Sequence, residues 1–110
     1  MTRFGGKVAV LTGAASGIGR ATAIRLAAEG ATVIGLDIDE TGLAGTGEAV
    51  GSMDAIVCDV ADRAACHAAV EQGVADHGRL DVFGNIAGIA GSQHVPDVTE
   101  ADWDRMVAVN

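Results

Sequence analysis

The glycine-rich segment Thr12-Gly13-Ala14-Ala15-Ser16-Gly17-Ile18-Gly19 is the feature that most limits what this chain can fold into. Its glycines have the spacing G-x-x-x-G-x-G and follow a strand-like apolar run, residues 7–11. A stretch with helical spacing, residues 17–29, begins within the segment. We expect Gly13 to permit a tight turn, Gly17 to leave room for a pyrophosphate and Gly19 to allow close helix–strand packing. An ordinary strand–helix turn is the alternative interpretation.

The rest of the chain continues the alternation of strands and helices. Strands are predicted over residues 32–37, 55–58 and 80–85, and helices over residues 40–50, 66–77 and from Thr99 onward. Three glycines weaken the helix over 40–50, whereas Gly78 is typical of a helix end. Because connections between parallel strands are right-handed, this order predicts an α/β fold with a doubly wound parallel sheet of Rossmann type. We expect three layers, αβα, incomplete at the carboxyl end, so that residues 1–110 are part of one dinucleotide-binding domain.

Two of the predicted helices carry a narrow stripe of small or apolar residues, which would let each helix approach the sheet closely. The first stripe consists of Gly19, Ala23, Leu26, Ala27 and Gly30, and the second of Cys66, Ala69, Val70, Gly73, Val74 and His77. Thr99 and Asp102 have the spacing of a capping box at the start of the last helix. Trp103, Met106, Val107 and Asn110 share one face of that helix.

Charge and composition exclude several classes of protein. The net charge is −8 with seven scattered Lys and Arg residues, which argues against a nucleic-acid-binding surface. A dinucleotide is still compatible with this charge, because local N–H donors are not screened as distant charges are. No apolar run reaches the ~20 residues of a membrane span and no signal peptide precedes the first strand, so we expect a soluble cytoplasmic protein.

The cysteines and histidines do not have the spacing of a metal site. Cys58 and Cys66 lack CxxC spacing, and His67, His77 and His94 are scattered, so no metal is expected. We interpret both cysteines as reduced packing residues, with a reactive role as the alternative. His77 is expected at the end of its helix.

Asp37 ends the second predicted strand, 18 residues after Gly19. At about this spacing, a carboxylate accepts hydrogen bonds from the adenosine ribose of a dinucleotide. A 2'-phosphate about 4 Å away would be repelled by up to about 4 kcal/mol per unit charge, and neither Ala14, Ala15 nor Ser16 supplies a cation. We therefore predict NAD rather than NADP as the cofactor. Asp39 is a rival for the ribose role, and Asp37 as a simple turn residue is the structural alternative.

Polar residues also follow the third and fourth strands. Asp59 comes after the third, and Asn85-Ile86-Ala87-Gly88 after the fourth. Open parallel sheets bind ligands at the carboxyl ends of their strands, so these positions point to one crevice. Alternatively, Asp59 caps the helix that begins near Arg63 and Asn85 closes a turn.

These segments together resemble the classical short-chain dehydrogenase/reductase family over the whole chain. TGAASGIG matches the family's TGxxxGxG, LDVFGNIAG its NNAG segment, and WDRMVAVN the helix that ends in a functional Asn. Ile86 departs from the commonest pattern, which has a second Asn there. The resemblance implies that three groups of residues contact the cofactor: Gly13, Ser16 and Ile18 along its length, Asp37 and Ile38 at the ribose, and Asp59 and Val60 at the adenine. It also implies that Asn85 and Ala87 form the neighbouring loop.

The resemblance implies a catalytic role for Asn110, whose main chain would hold a water beside the family's catalytic Lys. The family's catalytic Ser and Tyr-x-x-x-Lys have no match, because the chain contains no Tyr and its only Lys is Lys7. Hydride transfer to a carbonyl needs an acid at the oxygen, so the 110-residue chain alone is predicted to be inactive. Homo-oligomers, dimers or tetramers, are implied for the complete protein.

We therefore predict the cofactor-binding part of an NAD(H)-dependent oxidoreductase that acts on an alcohol or carbonyl group of a small-molecule substrate. A non-catalytic dinucleotide-binding module or an inactive fragment is the alternative. A methyltransferase also uses a glycine-rich loop and an acidic residue after the second strand, but the NIAG segment disfavours it. Residues 91–96 are a candidate rim loop for the substrate.

Overall fold

The computed structural model describes residues 2–89 and 95–110 as alternating strands and helices. The elements are β1 (Val8–Thr12), α1 (Gly17–Ala28), β2 (Thr32–Asp37), α2 (Glu40–Val50), β3 (Asp54–Val57), α3 (Arg63–His77), β4 (Val82–Gly84), a 3-10 turn (Val95–Asp97) and α4 (Glu100–Val109). The predicted order of elements is confirmed. Within the described ranges, no helix combines the length and the apolar character needed to cross a membrane.

The four strands form one parallel sheet in the order β3-β2-β1-β4. Val10 of β1 is paired with Ile34 of β2 on one side and with Phe83 of β4 on the other. A strand order that runs outward from β1 in both directions creates a switch point beside β1, where ligands bind in doubly wound sheets. The predicted doubly wound parallel fold is confirmed.

Helices cover both faces of the sheet. On one face, Val10 and Ile34 pack with Ala69 of α3. On the other face, Leu11 packs with Ala23 of α1 and Leu43 of α2. Successive side chains of a strand point to opposite faces, so the continuous apolar runs of β1 and β2 supply both cores. The result is a three-layer αβα arrangement.

Side-chain caps set the starts of three helices. Asp39 accepts from the Gly42 N–H of α2, Asp62 from the Ala65 N–H of α3, and Thr99 from the Asp102 N–H of α4. The Thr99 cap is as predicted. The alternative in which Asp59 caps α3 is wrong, because Asp59 instead accepts from the Ala61 N–H in the turn before Asp62. Helix α3 ends at His77, and Gly78 follows in a left-handed conformation, as predicted.

Strand β4 is shorter than the predicted strand over 80–85. Side chains take over the hydrogen bonds at its two ends. The Asp81 carboxylate accepts from the Val8 N–H at 2.9 Å, and the Thr12 hydroxyl accepts from the Ile86 N–H at 3.0 Å. The chain therefore stays beside β1 over the predicted length but leaves the regular ladder earlier.

Two carboxylates anchor the amino-terminal side of the sheet. Glu29, after α1, accepts from Arg3 Nη2 at 2.7 Å and from Arg25 Nε at 2.9 Å. These hydrogen bonds, with Arg3 contributing most, lower the pKa of Glu29 to about 2. Hydrogen bonds from Arg79 and from the Val8 N–H lower the pKa of Asp81 to about 2. Both groups are therefore ionised at neutral pH.

Candidate functional site

Two adjoining cavities lie at the carboxyl ends of the parallel strands. The larger has a volume of about 480 Å³ and the smaller about 290 Å³. Gly13, Asp37 and Ala87 border both of them. The ends of β1, β2 and β4 therefore meet in one continuous crevice, at the position expected for a doubly wound sheet.

The smaller cavity lies at the amino-terminal end of α1. Residues 16–19 border it on one side and Ile86, Ala87 and Gly88 on the other. Ser16 is the N-cap residue of α1, but its side chain makes no capping hydrogen bond, and the first turn contains no acidic residue. The first N–H groups of a helix have no acceptor within the helix, so this end offers donors and positive potential to an anion.

The three glycines of the loop differ in how much room a side chain would have. A Cβ at Gly13, where φ is +70°, would lie 2.8 Å from the Ala87 nitrogen. A Cβ at Gly19 would collide with the Gly13 carbonyl oxygen, whereas one at Gly17 would meet nothing within 4 Å. Gly13 and Gly19 thus permit close packing, and Gly17 faces open space.

Asp37 joins the glycine-rich loop to the end of β2. Its Oδ2 accepts from the Ala15 N–H at 3.0 Å, and its Oδ1 accepts from the Asp39 N–H at 3.0 Å. A carboxylate has about four acceptor positions, so about two of those of Asp37, which borders both cavities, have no partner among residues 2–89 and 95–110. The rival carboxylate, Asp39, is engaged as the N-cap of α2 and borders neither cavity.

Thr12 holds the segment after β4 against the glycine-rich loop. Its buried hydroxyl accepts from the N–H groups of Ile86 at 3.0 Å and Ala87 at 3.1 Å. It also lies 3.4 Å from Asn85 Oδ1. Asn85 therefore supports Thr12 and does not border the two cavities, unlike Ala87 and Gly88.

The larger cavity contains the residues that the resemblance assigned to the adenosine end, Ile38, Asp59 and Val60. Its other wall is formed by Arg105, Ala108 and Val109 of α4. Sequence reasoning missed this wall, because it depends on how α4 packs. The spacing of the three residues, i, i+3 and i+4, places them on one helical face, which was the available signal.

Asn110 follows α4 and holds the main chain after β4. Its Oδ1 accepts from the Ile89 N–H at 2.8 Å, and its Nδ2 donates to the Ile89 carbonyl at 3.0 Å. A Cβ at Gly88 would lie 3.1 Å from Asn110 Oδ1, so the small residue allows this contact. Asn110 thus fixes the outer part of the segment that carries Ala87.

The two cysteines lie together, with their sulfur atoms 3.5 Å apart, and Cys58 borders the larger cavity. Burial raises the pKa of the Cys58 thiol to about 11, so Cys58 stays protonated at neutral pH. Within residues 2–89 and 95–110, no three His, Cys, Asp or Glu side chains cluster in a way that could hold a metal ion. His94 and residues 91–94 of the candidate rim loop lie outside the described residues.

The sequence of this chain is similar to those of known dehydrogenases. The family model described as short chain dehydrogenase matches residues 7–110. The D-threitol dehydrogenase of Mycolicibacterium smegmatis is 39% identical over 112 residues, which cover 98% of this chain and 43% of the relative.

Two solved structures are similar to this chain in both fold and sequence. An NAD+-bound xylitol dehydrogenase has a TM-score of 0.93 and 34% identity, covering 97% of this chain and 44% of that one. The 3-ketoacyl-(acyl-carrier-protein) reductase from Brucella melitensis, in complex with NADH, has a TM-score of 0.90 and 37% identity, covering 96% and 45%. The chain spans less than half the length of these proteins.

Proposed function

Because this chain belongs to the short-chain dehydrogenase family, we propose that it forms the NAD(H)-binding part of an oxidoreductase that interconverts an alcohol and a carbonyl group. The family's Ser and Tyr-x-x-x-Lys have no counterpart in these 110 residues. We assign them to a part of the full-length protein that these residues do not include. The greater length of the relatives supports this division.

The position of Asp37 between the two cavities is the observation that carries this proposal. The smaller cavity, at the start of α1, suits a pyrophosphate, and the larger cavity, with Ile38 and Val60 in its wall, suits an adenine ring. The ribose that joins these groups would then lie at Asp37, whose free acceptor positions match ribose hydroxyls.

Two exposed apolar side chains support the presence of a ligand. Ile18 is 76% exposed and Ile38 66% exposed, and each borders one of the cavities. Exposed apolar surface is stabilised when a ring covers it, by about 25 cal/mol for each Å² that leaves water. A dinucleotide in the crevice would cover both side chains.

NAD(H) is the proposed cofactor because Asp37 is negatively charged at the ribose position. Arg105 borders the same cavity, but Asp37 forms no ion pair with it or with another cation in the described ranges. The Asp37 charge would therefore repel a 2'-phosphate. The NAD+ and NADH bound to the two similar structures agree with this choice.

Asn110 is proposed as a support for proton transfer. The side chain of Asn110 is fixed to Ile89 and its N–H donates to the Met106 carbonyl, so its main-chain carbonyl would be the group that holds a water beside a catalytic Lys. When bound, the nicotinamide supplies or accepts the hydride. The residues of this chain bind and orient the dinucleotide that carries it.

To test hydride transfer, the full-length protein is mixed with NADH and each of a set of carbonyl compounds. The loss of NADH absorbance measures the reaction. The set includes 3-ketoacyl thioesters and oxidised polyols, and the alcohols threitol and xylitol are tested with NAD+. Turnover with at least one class is expected. Tight NAD+ binding without turnover would instead favour a non-catalytic dinucleotide-binding module.

A further inference from the structure

The backbone of Ala14 and Ala15 in the glycine-rich loop is hydrogen-bonded at each of its polar groups. The acceptors of two of these hydrogen bonds lie at the end of β2. The Ala14 N–H donates to the Leu36 carbonyl at 3.2 Å, and the Ala15 N–H donates to Asp37 Oδ2 at 3.0 Å. These two contacts hold the loop against the sheet.

The two carbonyls of this pair are held by side chains from α1 and α2. The Thr46 hydroxyl donates to the Ala14 carbonyl at 2.7 Å, and Arg20 Nη2 donates to the Ala15 carbonyl at 2.6 Å. Arg20 Nε also donates to the Thr46 hydroxyl at 2.9 Å. Thr46 is fully buried, so its hydroxyl oxygen has no access to water that could replace these partners.

We propose that Arg20 and Thr46 are positioning residues for the pyrophosphate of the bound dinucleotide, an inference that rests on the proposed function. Neither residue borders the two cavities, so both act through the loop. By binding the carbonyls of Ala14 and Ala15, they keep these partial negative charges away from the phosphates. The N–H groups at the start of α1 are then left in place to donate to the anion.

The guanidinium of Arg20 connects three parts of the chain. Besides the loop and Thr46, its Nη2 donates to the Gly42 carbonyl in α2 at 2.9 Å. A Cβ at Gly45 would lie 3.3 Å from Arg20 Nη2, so glycine leaves room for the planar group. Because Arg presents several donors in a fixed plane, one side chain serves three acceptors, one on the loop and two on α2, an arrangement that the compact ammonium of Lys does not match.

The test uses the full-length protein with Arg20→Met and Thr46→Val, two variants that remove donors but keep most of the side-chain volume. ADP-ribose, which contains the pyrophosphate, and adenosine, which does not, are titrated separately by competition against NAD+. We expect ADP-ribose affinity to fall by about tenfold, a change of the size associated with the loss of one hydrogen bond. Adenosine affinity is expected to stay unchanged.

Arg25→Met is the matched control, because Arg25 lies on the same helix and donates to the Glu29 carboxylate outside the crevice. It should leave both affinities unchanged. Arg20→Met and Thr46→Val with wild-type ADP-ribose affinity would overturn the proposal, and so would an equal loss for adenosine, which would indicate a general structural role. If wild-type protein bound neither NAD+ nor ADP-ribose, the proposed function itself would fail. Thr46→Val, which changes few atoms, decides the matter if Arg20→Met does not fold.

Discussion

At the scale of single residues, Asp37 has two tasks. Its carboxylate fixes the N–H groups of Ala15 and Asp39, and its remaining acceptor positions face the proposed ribose. A substitution therefore changes the shape of the loop as well as the charge of the crevice. For this reason, the ratio of the affinities for NAD+ and NADP+ is more informative than either affinity alone.

We predict that Asp37→Asn lowers the preference of the full-length protein for NAD+ over NADP+ by about tenfold or more. The substitution removes the charge that repels a 2'-phosphate, a repulsion of up to about 4 kcal/mol at 4 Å and an intermediate dielectric. Isothermal titration of both dinucleotides measures the ratio.

Asp39→Asn is the matched control for Asp37→Asn. Asn caps a helix about as well as Asp, so α2 should keep its start, and only a nearby charge is lost. An Asp39→Asn variant that shifted the ratio as far as Asp37→Asn would assign the discrimination to Asp39 instead.

Spacing along the sequence was enough to find the residues of the crevice that lie at the ends of strands or within three residues after them. Gly13, Asp37, Asp59 and Ala87 all border its cavities. Arg20, Thr46 and Arg105 could not be found in this way. The roles of Arg20 and Thr46 depend on how α1 and α2 pack against the loop, and that of Arg105 on how α4 packs beside the larger cavity. A helical face is visible in the sequence, but what it packs against is not.

At the scale of elements, α2 shows tertiary packing overriding helix propensity. Its glycines disfavour a helix, yet it spans Glu40–Val50, as predicted. A Cβ at Gly42 would lie 2.5 Å from Asp39 Oδ2 and 3.0 Å from the Ala15 carbonyl. The glycine thus allows α2 to lie close to the glycine-rich loop, and the buried Leu43 and Thr46 fix it there.

We predict that Gly47→Ala stabilises the protein by about 0.5–1 kcal/mol. A Cβ at Gly47 would meet nothing within 4 Å, and Ala loses less backbone entropy in a helix than Gly. Chemical denaturation measures the free energy of unfolding.

Gly42→Ala, on the same helix, is the matched comparison and should destabilise, because its Cβ would press on backbone and cap atoms. If the two substitutions had the same effect, the helix would not depend on close contact with the loop.

The sequence predicted where helix α4 begins, but not which parts of the chain it contacts. Thr99 caps it as expected, and Asn110 follows its last turn. Trp103 and Val107, which share the predicted apolar face, are 65% and 63% exposed, and Met106 is half-buried. Periodicity identifies such a face, but it does not identify what the face packs against.

At the scale of the whole molecule, the ionised carboxylates of Glu29 and Asp81 link stability to pH. Each has a folded-state pKa of about 2, below the ordinary value of about 4 for an unfolded chain. Their contribution is therefore fully present above the unfolded pKa and is lost as the pH falls toward the folded pKa. We predict a decrease in the free energy of unfolding from about pH 4.5 down to pH 2.

Equilibrium denaturation of the full-length protein between these pH values measures this loss. Glu29→Gln should be less stable than wild type at neutral pH and should show a shallower decrease in acid. Glu48→Gln, on the exposed surface of α2, is the charge-matched control and should follow the wild-type curve. A Glu29→Gln curve parallel to that of wild type would exclude Glu29 as a source of the acid sensitivity.

The whole chain is organised around the crevice at the carboxyl ends of its strands. Ion pairs of Glu29 and Asp81 lie near the amino-terminal ends of the strands. At the carboxyl ends, the loops are held through Thr12, Asp37 and Asn110. The sheet thus carries loops that present N–H donors and one carboxylate at the crevice. A bound dinucleotide needs both kinds of group.

Equilibrium titration of the full-length protein with NAD+ and, separately, NADP+ tests this account most directly. We predict saturable binding of NAD+ to one site per chain, with NADP+ binding at least about tenfold more weakly because of Asp37. Failure to bind either dinucleotide, or tighter binding of NADP+, would contradict it.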